Sequence, residues 1–197
     1  MTTWFTSDTH FSHKNIITLG DGRPFKDITT HNEMLVYNFN SVIMPGDTLV
    51  HLGDVALGPW PDGLNYVRRI NGTKYLVPGN HDRVSSVEKP NRREKFRQDY
   101  LDVFNGIFGE VEALSLGGFP VLVSHYPYTG ESFEGRPDRF SDLRPVNEGK
   151  VLIHGHTHAD SVLSRHEDTL QISVGVDARD FFPVSEETII QLIKDNA

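Results

Sequence analysis

Five times along this chain a short run of β-branched and leucine residues ends in a cluster of polar groups, and that recurrence constrains the fold more than any other feature. Thr3 to Thr6 runs into Ser7-Asp8-Thr9-His10, Thr48 to Leu52 into Gly53-Asp54, and Lys74 to Val77 into Pro78-Gly79-Asn80-His81-Asp82. The pattern returns where Pro120 to Val123 meets Ser124-His125 and where Lys150 to Ile153 meets His154-Gly155-His156-Thr157-His158. Runs of this make-up suit strands buried in a sheet. Between them lie helical segments. Thr30 with Glu33 reads as a capping box, followed by Leu35, Phe39 and Val42 at the spacing of a helix packed on a sheet. Asp62 to Ile70 and Arg92 to Phe104 are further candidates. Ser185 caps a last helix, with Glu186 and Glu187 in its first turn and Ile189, Leu192 and Ile193 on its buried face. Gly117-Gly118 predicts a two-residue hairpin turn between Val111 to Leu116 and Phe119 to Val123. A second hairpin pairs Val162 to Arg165 with Leu170 to Val174. Strands and helices alternate early and hairpins dominate late, which predicts a mixed α/β domain, helices outside packed sheets, in a single domain over residues 1–197.

Composition narrows what such a fold can do. The chain holds no cysteine, so disulfides, thiolate zinc sites and a cysteine nucleophile drop out, and any metal must be held by His, Asp, Glu or Asn. A formal charge of −8 argues against tracking duplex nucleic acid, which depends on neutralising phosphates with Lys and Arg. A small anionic substrate remains compatible, because bound divalent ions reverse the local sign. The first ten residues lack the basic head and apolar core of a signal peptide, and no uncharged apolar run approaches the roughly 18 residues of a membrane span. No membrane partner and a cytoplasmic location are therefore expected.

The strand ends carry the ligand-type residues. Asp8-x-His10 and His156-x-His158 each direct two side chains to one side if the backbone stays extended, a chelating geometry. Asp54 and Asn80 each follow a glycine, and His125 follows a serine. Imidazole mixed with oxygen donors suits manganese, iron, zinc, nickel or cobalt more than calcium. Gly53, Gly79 and Gly155 stand where the chain must turn sharply or approach a ligand closely.

Taken in chain order, Asp-x-His, Gly-Asp, Gly-Asn-His-Asp, His and Gly-His-x-His, these motifs make the sequence resemble the calcineurin-like metallophosphoesterase superfamily from Asp8 to His158, in its phosphodiesterase-type branch of small bacterial and phage proteins. The resemblance implies a four-layer α/β/β/α sandwich of two mixed sheets with the site at one edge. It implies two divalent metal ions, manganese first, with iron, zinc, nickel, cobalt or magnesium as alternatives. Asp8, His10 and His158 would bind one ion, Asn80, His125 and His156 the other, and Asp54 would bridge them. His81 would face the scissile phosphate, with Asn80 also at the substrate. Two such ions lower the pKa of a shared water and clamp the oxygens of an in-line displacement, while His81 serves the leaving oxygen. Asp82 would orient His81 or hold the turn.

The protein-phosphatase branch continues its second motif as Gly-Asp-x-x-Asp-Arg-Gly, with an arginine that grips a terminal phosphate. Here the chain reads Gly53-Asp54-Val55-Ala56-Leu57-Gly58, without that arginine. The departure points to a phosphodiester substrate, such as a cyclic nucleotide, with a phosphomonoesterase as the alternative and a metal-free scaffold as the remaining one. Arg23 is a candidate phosphate clamp. His13, Lys14 and Asn15 fall close enough to the first motif to reach the substrate or to form a solvated loop. The basic stretch Lys89 to Arg97 reads either as a steering surface or as a solvated helix face. Tyr126 to Val146 is long for a connection and is a candidate substrate-facing loop, where Tyr126, Tyr128 and Phe133 either stack on a base or pack.

Overall fold

A computed structural model describes residues 1–20, 22–131 and 139–196. Two mixed sheets flanked by helices form the fold. Strand β1 (Thr3–Thr6) precedes helix α1 (Ile28–Val42), β2 (Thr48–His51), α2 (Asp62–Arg68), β3 (Thr73–Leu76) and α3 (Pro90–Leu101). Then come β4 (Gly106–Ile107), β5 (Val111–Leu116), β6 (Phe119–Ser124), β7 (Val151–His154), β8 (Leu163–His166), β9 (Thr169–Ser173), β10 (Val184–Ser185) and α4 (Glu186–Asn196). One sheet has the order β10-β1-β2-β3-β4 and the other β5-β6-β7-β9-β8. In the first, β1 through β4 run parallel and β10 is antiparallel to β1. In the second, β6, β7 and β9 are parallel, and the outer strands β5 and β8 pair antiparallel.

Alternation along the strands divides the core. Leu49 and Leu76 join Leu35, Phe39, Ile43, Tyr100 and Phe104 beneath the helices of the first sheet. Phe5, Val50, Val121, Val123, Ile153 and Ile172 fill the space between the sheets, together with Ile189 and Ile193 of α4. Both faces of the parallel strands are therefore apolar, as buried strands require. On the other face of the second sheet, Leu122 and Leu152 pack against Tyr128. The hairpin at Gly117-Gly118 is present with φ of 55° and 88°, the left-handed pair that a two-residue turn demands. Ser185 Oγ accepts from Thr188 N at 3.2 Å and so caps α4. The cap of α1 is not Thr30. Asp27 takes that place, its Oδ1 accepting from Thr30 N at 2.8 Å, because the helix starts three residues earlier than the Thr30-Glu33 pair suggests. Among the described residues no helix is long and apolar enough to cross a membrane.

Candidate metal centre

Parallel strands bring their ends to one edge, and short backbone ladders extend that alignment past the strands. Beyond β1, Asp8 N donates to Gly53 O at 3.0 Å and His10 N to Asp54 O at 3.0 Å, which sets the first motif against the second. Ser7 pairs with Gly175, and Gly155 N donates to His125 O at 3.0 Å, which ties the late motifs to one another and to β1. The paired side chains do share a direction, but not through extended backbone. Asp8, His10, Asp54, His156 and His158 all have positive φ, at 58°, 46°, 54°, 72° and 52°. Each such non-glycine residue costs on the order of 1–3 kcal/mol and persists only where its surroundings hold it. Here the cross-strand ladders do so. The tight approach also explains one glycine: a Cβ on Gly155 would lie 2.5 Å from Asp8 Oδ2.

Two ligand groups result. Asp8, His10 and His158 offer atoms within 4.8 Å of one another, and so do Asp8, Asp54 and His125. The His10 and His158 Nε2 atoms are 3.2 Å apart. Around the second group, His125 Nε2 lies 3.2 Å from Asn80 Oδ1 and 3.3 Å from His156 Nδ1. Asp8 belongs to both groups, and Asp54 of the second reaches towards the first, with Oδ2 3.5 Å from His10 Nε2 and Oδ1 3.6 Å from His125 Nε2. All seven residues named from the sequence as metal ligands are thus gathered in one place.

The donor set fits divalent ions. Nitrogens bound about 2.1 Å from one tetrahedral or octahedral ion lie roughly 3.0–3.4 Å apart, the separation seen between His10 and His158. Asp8 Oδ1 is buried without a hydrogen-bond partner among the described residues. Burial raises the Asp8 carboxyl above its ordinary value, with the Asp54 charge adding to the effect. Burial likewise holds His10 well below the ordinary imidazole value, which keeps it in the neutral form that binds metal. His125 Nδ1 donates to Leu52 O at 2.7 Å and His158 Nδ1 to Asp177 Oδ2 at 2.8 Å. In its neutral form each ring therefore turns an unprotonated Nε2 towards the centre. In the metal-free protein burial lowers both pKa values, but the charges of Asp54 and Asp8 beside His125, and the Asp177 hydrogen bond with the Asp8 charge beside His158, outweigh it and raise both rings above the ordinary imidazole value.

Arg23 is not a phosphate clamp. It is 6% exposed, and its five N–H groups are all engaged. Nε and Nη2 donate to Asp177 at 2.7 and 2.8 Å, Nη2 also to Asp8 O at 2.8 Å, and Nη1 to His31 Nε2 and Thr9 O at 2.9 and 3.3 Å. Burial pushes Asp177 up, but the His158 hydrogen bond and Arg23 hold its carboxyl down to about 2. Asp177 escapes the sequence reading although a signal exists: Leu170 to Val174 also ends in a glycine, Gly175, two residues before it. Asp82 does not orient His81. It holds the turn, accepting from Gly79 N and Asp54 N at 2.9 Å, Val55 N at 3.1 Å and Tyr100 Oη at 3.2 Å. Burial, with the Asp54 charge, raises this carboxyl to about 7.

Above the ligands opens a cavity of about 630 Å³. His81 reaches it with a half-exposed side chain, Nε2 4.0 Å from Asp54 Oδ2. His13 lines the same cavity, whereas Lys14 and Asn15 are exposed. Glu131, absent from the sequence reading, lines it too, with Oε2 3.4 Å from His156 Nε2. Tyr126 and Tyr128 pack rather than stack on a ligand: Tyr126 is fully buried against the His125 and His156 rings, and Tyr128 donates to Lys150 O at 2.9 Å. Phe133 lies outside the described residues. The basic stretch is for the most part the exposed surface of α3, with Arg92 paired to Glu88 at 3.3 Å.

Comparison with known proteins identifies the family. The Gene 66 protein of Mycobacterium phage L5 is 33% identical over 189 residues, covering 89% of this chain and 86% of its own. A protein of Methanocaldococcus jannaschii is 26% identical over 196 residues, covering 97% and 90%. Among solved structures, a protein of unknown function from Aquifex aeolicus superposes with a TM-score of 0.69 at 30% identity, covering 97% of this chain and 98% of that one. The profile of the calcineurin-like phosphoesterase superfamily domain matches residues 1–192, and the chain belongs to that superfamily.

Proposed function

We propose that the protein is a phosphodiesterase that hydrolyses small diesters, cyclic nucleotides such as 2′,3′-cyclic nucleotides among them, with two divalent ions, manganese foremost. The observation that carries this reading is the Asp54 carboxylate, one oxygen towards His10 and the other towards His125, lining a cavity into which His81 also opens. Asp8, His10 and His158 would hold one ion and Asn80, His125 and His156 the other, with Asp54 shared. What the ions supply when bound is Lewis acidity and a water acidic enough to lose its proton near neutral pH. The chain's own groups do the rest. His81 donates to the leaving oxygen, and its backbone N–H holds Asp54 Oδ1 at 2.9 Å, which couples the proton donor to the shared carboxylate. Arg23, embedded among the ligands, has no N–H left for a terminal phosphate, which favours a diester over a monoester.

Hydrolysis of bis-p-nitrophenyl phosphate with manganese tests the reading. EDTA is expected to abolish turnover and Asn80→Ala to lower kcat/KM at least about 100-fold, roughly 2.7 kcal/mol of transition-state stabilisation. Turnover unchanged after chelation rejects the mechanism. A higher kcat/KM for p-nitrophenyl phosphate makes the protein a phosphomonoesterase, and protein that takes up no metal is a scaffold.

A further inference from the structure

His13 is an imidazole that neither ligand group uses. It caps the 3-10 turn Lys14–Ile17, its N–H donating to His10 O at 3.1 Å and its carbonyl accepting from Ile16 N at 3.0 Å. This turn puts its ring 5.3 Å from the His10 ring, while His81 stands 5.5 Å from the same ring. Two non-ligand imidazoles thus border one ligand and open into one cavity. His13 Nδ1 is buried with no hydrogen-bond partner among the described residues. A buried N–H without an acceptor is the rarer and costlier orphan, so the neutral ring carries its proton on Nε2. That nitrogen is the donor His13 has to offer.

The same short segment supplies apolar wall. Ile16, buried, and Leu19, 45% exposed, line the cavity beside His13, with Leu57 nearby on the wall that follows the second motif. At about 630 Å³ the cavity falls in the range of roughly 300–1,000 Å³ that encloses whole organic ligands, and it exceeds what a bare phosphate needs. A polar donor set among aliphatic side chains matches a substituent with an apolar face and hydroxyl or ether oxygens, which is the chemistry of a nucleoside.

We propose that His13, Ile16 and Leu19 form the subsite for the organic group of the ester, with His13 Nε2 donating to a sugar oxygen and the two aliphatic side chains seating the flat face, so that the substrates are esters of nucleosides. This inference rests on the phosphodiesterase reading of the site. His13 acts on specificity and leaves the ions to their own ligands.

The test compares thymidine 5′-p-nitrophenyl phosphate, which carries the sugar, with bis-p-nitrophenyl phosphate, which does not. In His13→Ala the ratio of kcat/KM for the nucleotide ester to that for the aryl diester is expected to fall at least about tenfold, mainly through KM. Manganese affinity by calorimetry and Tm are expected to stay at their wild-type values. His13→Gln, which keeps an N–H donor, is expected to recover part of the ratio. A ratio within twofold of wild type overturns the subsite. So does a loss of manganese affinity in both variants, which would make His13 a support for His10. Wild-type protein that hydrolyses neither diester overturns the phosphodiesterase reading and the subsite with it, and that failure shows before any variant is made.

Discussion

At the scale of single residues, the polar groups behind the ligands decide how firmly the ligands are held. His158 presents Nε2 because Asp177 occupies Nδ1, and Asp177 is fixed because Arg23 takes both of its oxygens. The Arg23 and Asp177 side chains are 3% and 13% exposed, so removing one partner strands the other in a poorly hydrated place. Asp177→Ala is therefore expected to lower manganese affinity about 10–100-fold. It should also destabilise the metal-free protein, by about 3–5 kcal/mol if Arg23 stays buried. Calorimetric titration with manganese and urea melts in EDTA measure the two effects separately, and wild-type affinity in the variant would remove Asp177 from the site. That the seven residues proposed as metal ligands gather in one place was legible because each follows a strand, and strands of one parallel sheet bring their ends to one edge. Arg23 was misread because sequence displays the guanidinium but not its burial, and burial turns a phosphate binder into an internal clamp.

Elements were legible where pattern and capping chemistry agree over several residues. Helix α4 joins a serine cap, two glutamates at its positive end and Ile189 and Ile193 in the core, so its start falls where the sequence places it. Ser185→Ala should cost about 1 kcal/mol, the loss of the side-chain acceptor for Thr188 N, read from the shift in urea midpoint at unchanged m-value. An unchanged midpoint would mean that Ile189 and Ile193 alone hold the helix. Helix α1 shows the limit, since both Asp27 and Thr30 are capping residue types and the sequence alone does not say which of them starts the helix. Strands β4 and β10 were invisible for a different reason. Two residues are too few to show a period, and both strands exist only because Tyr75 and Leu76, or Trp4 and Phe5, offer a sheet edge to pair with.

For the molecule as a whole, the sandwich was legible from the change of alternating strands and helices into hairpins, together with the family motifs. The pairings that assemble the site were not, because contacts such as Ser7 with Gly175 join residues far apart in the chain. That assembly leaves a titratable liability in the interior. His51 is 1% exposed, with Nε2 2.9 Å from Thr9 Oγ1, a hydroxyl that donates onward to Val55 O at 2.8 Å. The ring therefore donates to Thr9 as a neutral imidazole. Burial foremost, then the His125 charge, lowers its pKa to about 3 from the ordinary 6.5. The fold holds His51 neutral, whereas the unfolded chain protonates it near pH 6.5. Its contribution to stability is complete above pH 6.5 and is lost as pH falls from there towards 3, on the order of 1 kcal/mol per pH unit. Asp8 and Asp82, whose carboxyls are raised, act in the opposite direction, so the net acid slope of the wild type does not isolate the effect. The difference between wild type and His51→Gln does, because glutamine keeps an N–H donor for Thr9 and cannot take up a proton. In EDTA, urea melts from pH 7.5 to 4.5 are expected to show the wild type losing stability relative to His51→Gln once the pH drops below about 6.5. A difference that stays constant across that range would show that His51 is protonated as easily inside the fold as outside it.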